Sequence, residues 1–120
     1  MQCRWFILVL VLAAVAVSVQ MVAAPRAHAD DFAYLVNVTV RPGYNFVSAD
    51  AALGYGRGIC GKVAAGRAYA DIVTEIGTDF GNADDWHAGY LINQAVNELC
   101  PAAIWQLRNS AAGYVPVRRP

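Results

Sequence analysis

The chain has 120 residues, nine of them basic and nine acidic, and 58% of its side chains are hydrophobic. That length admits one domain at most, and the even charge excludes the basic face that nucleic-acid binding needs. Much of the hydrophobicity sits in one stretch near the start, so the inventory changes once that stretch is set apart.

Met1 to Arg4 is short and carries one positive charge, at Arg4. Trp5 to Val17 then runs 13 residues drawn only from Trp, Phe, Ile, Leu, Val and Ala. Pro25 breaks any helix, and Ala27-His28-Ala29 supplies small residues at alternate positions. A charged start, an apolar middle and a small-x-small site are the parts of a secretory signal peptide, in that order. Cleavage between Ala29 and Asp30 is expected. Cys3 stands too early for lipoprotein processing, and no cysteine follows the apolar run. The rival reading is an uncleaved anchor, but a bilayer span takes about 20 apolar residues, and extension to Ala24 brings in Ser18 and Gln20. The expected organisation is therefore a signal at 1–29, a helical domain at 30–109 and a disordered tail at 110–120.

Loss of Arg4 and Arg26 leaves seven basic residues against nine acidic ones, a net charge of −2 with His neutral. Of three cysteines, Cys60 and Cys100 survive, and an even count in an exported chain suggests a disulfide. A mature chain this short buries a small core, for which a covalent staple is useful.

Asp30 and Asp31 precede Phe32, Leu35 and Val36, whose spacing marks one face of a helix ending near Val40, before Pro42-Gly43. The acidic pair suits the positive end of that helix. Asn37-Val38-Thr39 has the form of a glycosylation sequon and carries little weight on its own. After the apolar loop Tyr44 to Val47, Ser48 is placed to cap a second helix from Ala49 to about Ala65. Leu53, Gly56, Ile59, Cys60 and Val63 form its stripe. Gly54, Gly56, Gly58 and Gly61 each weaken it by about 0.8–1 kcal/mol relative to Ala, and in return they let another helix approach. Gly66 stops it. Tyr69, Ile72, Val73, Ile76 and Phe80 mark a third helix, ended by Gly81-Asn82. Asp84 and Asp85 open a fourth, with Ala88, Leu91, Ile92, Ala95 and Leu99 inward and Pro101 ending it at Cys100. Ala102 to Arg108 reads as a short fifth helix, and Gly113 to Pro120 as a solvated tail. No alternating strand pattern appears. The fold class is all-α: a bundle of four or five short helices stapled by one disulfide.

Few residues invite chemistry. Gly56-Arg57-Gly58-Ile59-Cys60-Gly61 matches G-x-G-x-x-G, but a dinucleotide site requires a strand before it, and here a helix starts instead. Asp84, Asp85 and His87 are the one local cluster of acid and imidazole. They supply too few convergent ligands for a metal, and the plain reading is that the acids favour a helix start. No nucleophilic serine or cysteine has a second histidine to partner it. No catalytic residue, metal ligand or cofactor site is assigned. Among the many aromatic residues, most belong in the core. Trp86 and Trp105, which flank the fourth helix, are the candidates for an exposed binding surface.

Asp31-Phe32-x-x-Leu35, Gly58-Ile59-Cys60, Gly66, Ile72-Val73 and Ala95-x-x-x-x-Cys100-Pro101 together resemble the domain of unknown function 732 family, over about Asp30 to Pro101. Its members are small exported proteins, mostly of mycobacteria and their relatives. The chain departs from the pattern in a longer tail after Pro101 and in the aromatic residues from Tyr44 to Phe46. The resemblance implies a secreted helical domain with one disulfide, and it implies no activity.

The expected function is a small exported interaction module of the cell envelope or extracellular space, whose partner is a protein or an apolar ligand. One alternative is a small hydrolase using Asp84, Asp85 or His87. Another is an envelope protein held at the membrane by its uncleaved signal, which is the single membrane contact expected.

Overall fold

The computed structural model describes residues 24–118. Most of the expected signal, Cys3 included, therefore lies outside the described residues, as do Arg119 and Pro120. The elements are α1 (Ala24–Val40), α2 (Ala49–Ala64), α3 (Tyr69–Asp79), α4 (Asp85–Leu99), a 3₁₀ turn (Pro101–Ala103) and α5 (Ile104–Ala111). The protein is all-α, with no strand among the described residues. Also among them, no helix is long and apolar enough to cross a membrane.

α4 is the centre of the bundle and packs against α1, α2 and α3. Its Leu91, Ile92, Ala95 and Val96 are fully buried. They meet Tyr34 and Val38 of α1, Ile59 and Val63 of α2, and Ile72, Val73 and Ile76 of α3. Each such aliphatic side chain stabilises the fold by about 1.5–3 kcal/mol relative to exposure. The spacing of 3 and 4 predicted these inner faces for α2, α3 and α4, with the exception of Val96, which was not on the expected stripe.

α2 begins as its sequence predicts. The Ser48 hydroxyl accepts from the Ala51 N–H at 3.0 Å, and Asp50 stands in the first turn. Its glycines differ from the expectation. A Cβ on Gly56 would sit 2.7 Å from both Leu99 Cδ1 and the Tyr34 ring, so close approach requires glycine there. Gly54, Gly58 and Gly61 face open space.

α1 departs from its predicted start and face. Pro25 lies within the helix rather than breaking it. Asp30 and Asp31 consequently fall inside the helix, and Asp31 does a different job: both its carboxylate oxygens accept from Arg57 Nη2, at 2.8 and 2.9 Å, tying α1 to α2. Phe32 and Val36 point outward, with Val40 beside them on the same stripe. Tyr34 and Val38 take the inner face, because the Tyr34 ring fills the notch at Gly56 and its hydroxyl donates to the Ala52 carbonyl at 3.1 Å.

Cys60 and Cys100 form a disulfide, with Cα atoms 6.1 Å apart and a sequence separation of 40. It joins the last third of α2 to the residue that ends α4. The fifth helix runs past its expected end at Arg108. α5 extends to Ala111, and its Ser110 hydroxyl accepts from the Tyr69 N–H at 2.8 Å. This caps α3, whose own N-cap residue, Ala68, has no side chain to do so. Beyond α5 the chain turns back over the start of α4, in contrast to the solvated tail predicted from Gly113. Tyr114 packs edge-on against Tyr69, at 5.0 Å between ring centroids.

Candidate functional site

The acid and imidazole cluster at the start of α4 does not converge. The Asp84 side chain turns back to accept from the Trp86 N–H at 3.0 Å, as an N-cap. The Asp85 carboxylate instead holds the tail. Its Oδ2 accepts from the Tyr114 hydroxyl at 2.6 Å and the Val117 N–H at 2.8 Å, while the Asp85 N–H donates to the Val117 carbonyl at 3.0 Å. Burial first, and then Asp85, raise the Tyr114 hydroxyl to about 12. His87 turns inward and is 5% exposed. Its ring stacks on Tyr44 at 4.2 Å and meets Phe80 edge-on at 6.1 Å. Burial, helped by the charge of Arg41, lowers its pKa below the usual imidazole value, so the neutral ring is favoured. Its Nε2 is buried with no hydrogen-bond partner. Three polar residues within four positions thus face three ways. Among the described residues, no three His, Cys, Asp or Glu side chains group as metal ligands.

The aromatic loop before α2 is structural. Tyr44 donates to the His87 carbonyl at 2.6 Å. Phe46 packs on Tyr55 and Phe80, at 5.7 and 5.6 Å. Burial pushes the Tyr44 hydroxyl well above the usual phenol range. The positive φ of Gly43, +109°, lets the chain pass directly over the His87 ring, where a Cβ would lie 2.8 Å from Cε1.

Among three surface pockets of similar size in the described residues, a groove of about 370 Å³ beside the outer face of α4 is the one lined by Trp86. Its walls are Tyr69, Trp86 and Tyr90, with Arg41, Asp85 and Arg118 around them. Trp86 is half exposed here. Trp105 is exposed too, but it lies outside this groove, with the Arg108 guanidinium 5.2 Å from its ring centroid. Of the two tryptophans predicted as a surface, one lines the groove. Tyr90 is held by its hydroxyl, which donates to the Asn37 carbonyl at 3.1 Å near the end of α1. The Asn37 side chain donates to Gln94 Oε1 at 2.7 Å, so the sequon asparagine is engaged in the α1–α4 contact. Arg41 lies over the Tyr90 ring at 4.2 Å, and Arg118 lies over the Trp86 ring at 5.7 Å. Sequence reasoning missed both arginines. Arg41 stands before a Pro-Gly turn and Arg118 in an unpatterned tail, so no periodicity pointed to either.

Compared with known families, residues 29–102 match the one described as protein of unknown function (DUF732). The chain belongs to this family. No curated protein and no solved structure matches it. The DUF732 region contains both bridged cysteines, Arg41, Tyr69 and all of α4. Tyr114 and Arg118 lie beyond it, so the tail adds a wall to the groove from outside the family's region.

Proposed function

We propose that this DUF732 protein is an exported interaction module of the cell envelope or extracellular space, and that it binds through the groove beside α4. The observation that carries the reading is the half-exposed Trp86, set between Tyr69 and Tyr90 in a concave surface. Aromatic walls with a few placed polar groups are the usual make-up of a binding site. The export half of the proposal rests on the charged start, apolar run and Ala27-His28-Ala29 site. Cleavage before Asp30 also makes Asp30 and Asp31 the first-turn acids of the shortened α1, where the helix dipole favours them.

A hydrolase built on His87 finds less support. The imidazole is enclosed by Tyr44 and Phe80, while Asp84 and Asp85 are committed to the N-cap and the tail. A general base must reach the proton it takes, and this ring is covered.

The test is retention of envelope components by the immobilised full chain, with Trp86→Ala and Trp105→Ala run beside it. A species retained by the original chain and Trp105→Ala, but lost with Trp86→Ala, is the expected result. Equal retention by all three proteins, or by none, rejects the groove as the binding surface.

A further inference from the structure

The two arginines at the groove arrive from opposite ends of the fold, Arg41 just after α1 and Arg118 from the tail. Each guanidinium lies over an aromatic face. Arg57, Lys62 and Arg67 are ion-paired with carboxylates; Arg41 and Arg118 have no such partner among the described residues. A guanidinium that rests beside an aromatic ring and has no carboxylate partner keeps N–H donors available, and that fork fits a carboxylate or phosphate. Among the described residues that line the groove, Asp85 is the acid, and it accepts two hydrogen bonds from the tail. Among those residues two guanidinium charges stand against one carboxylate. In the same groove Tyr69, Trp86 and Tyr90 provide apolar surface.

The size narrows the occupant. About 370 Å³ falls in the range of small-ligand sites, roughly 300–1,000 Å³. A stable protein interface takes about 800 Å² from each partner, a scale that such a groove does not supply alone. Resting on the groove reading above, we propose that its ligand is a small organic anion, with an apolar or aromatic body against the aromatic walls and a carboxylate or phosphate head held between Arg41 and Arg118. Arg118 belongs to the tail beyond the DUF732 region, so the tail adapts a family scaffold to a charged head group. The Asp85 bonds to Tyr114 and Val117 position it. The preference for an anion is then a property of this chain's own extension.

Calorimetric titration of the full chain at low salt tests the proposal, with benzoate, phenyl phosphate and benzyl alcohol as probes. The two anions distinguish carboxylate from phosphate, and the alcohol carries the same ring without charge. Binding of at least one anion, about ten-fold or more tighter than the alcohol, is expected, since a hydrogen bond to a charged group contributes at about that level. Arg41→Gln and Arg118→Gln should each weaken anion binding about ten-fold and leave the alcohol unchanged. Arg108→Gln, whose guanidinium lies over Trp105, should change neither, and melting curves of the variants check that the fold is kept. Anion binding that survives both groove substitutions would place the head group elsewhere and overturn the proposal. An alcohol that binds as tightly as the anions also overturns it, while leaving the groove itself as a binding surface. If no probe binds, the anion proposal falls, and the retention experiment with Trp86→Ala still decides the groove independently.

Discussion

Gly56 and Gly58 are two residues apart on the same helix, yet they answer to opposite physics. At Gly56 the Tyr34 ring and Leu99 already occupy the space a methyl group would need. Overpacking of that kind costs about 1–3 kcal/mol, more than the helix propensity that alanine returns, about 0.8–1 kcal/mol. At Gly58 nothing lies within reach of an added Cβ, so the propensity gain stands alone. Gly56→Ala is expected to lower stability by about 1–2 kcal/mol net, and Gly58→Ala to raise it by about 0.5–1 kcal/mol. Urea unfolding of both variants measures this; a stabilised Gly56→Ala would mean that Tyr34 and Leu99 yield easily and that the α1–α2 contact is loose. The G-x-G-x-x-G string thus owes one glycine to packing, while Gly58 and Gly61 face open space. Nothing in the string itself distinguishes them, because the discriminating atoms come from α1 and from the end of α4.

At the scale of elements, the loop from Arg41 to Ser48 is held down by aromatic packing rather than by regular hydrogen bonding. Tyr44 stacked on His87 is its closest ring contact, at 4.2 Å. Burial first, and then the charge of Arg41, disfavour imidazolium there, against a smaller opposing effect of Asp84. A histidine whose pKa is lower in the folded state than in the unfolded chain leaves stability intact above the unfolded value of about 6.5. Stability is then lost as the pH falls through that value towards the folded one, because the unfolded chain takes up the proton more readily. The protein should therefore lose stability as the pH falls below about 6.5. His87→Gln, less stable throughout for want of the ring stack, should lose little over the same interval. Chemical denaturation at several pH values compares the slopes. Parallel slopes for the two proteins would show that His87 is not the titrating group.

The same scale shows how much of the architecture the sequence carried. Helices α2, α3 and α4 were legible because their apolar residues recur at 3 and 4 and because Ser48, Gly66 and Asp84 mark their ends. The face of α1 was not, since Phe32 is more apolar than Tyr34 and only the notch at Gly56 explains why tyrosine goes inside. Nor was the cap of α3, which comes from Ser110, 41 residues downstream. Tail docking and the arginine pair depend on similar long-range contacts. Trp86 could be named from sequence as an exposed aromatic; the groove around it required the fold.

For the whole molecule, the decisive link is the bridge between Cys60 and Cys100. Tying residues 40 apart stabilises the folded state by on the order of 4 kcal/mol when it restricts the unfolded chain. Small domains have only about 5–15 kcal/mol in total, so the bridge is a large share. It acts where the chain is intrinsically weakest, on the glycine-rich α2, and anchors that helix to the end of α4. Cys60→Ala and Cys100→Ala should each lower the melting temperature by well over 10 °C, on the scale of roughly 4–8 °C per kcal/mol for a domain of this size. The double variant should be no less stable than either single one, since both remove the same bond. Unequal single variants would point to a role for one side chain beyond the bridge, and an unchanged melting temperature would show that core packing around α4 holds the bundle unaided. Reduction of the native chain gives the same answer without mutation. The groove shares α4 with the staple, so reduced protein that stays folded yet no longer binds would show that the bridge also sets the position of Trp86 and Tyr90.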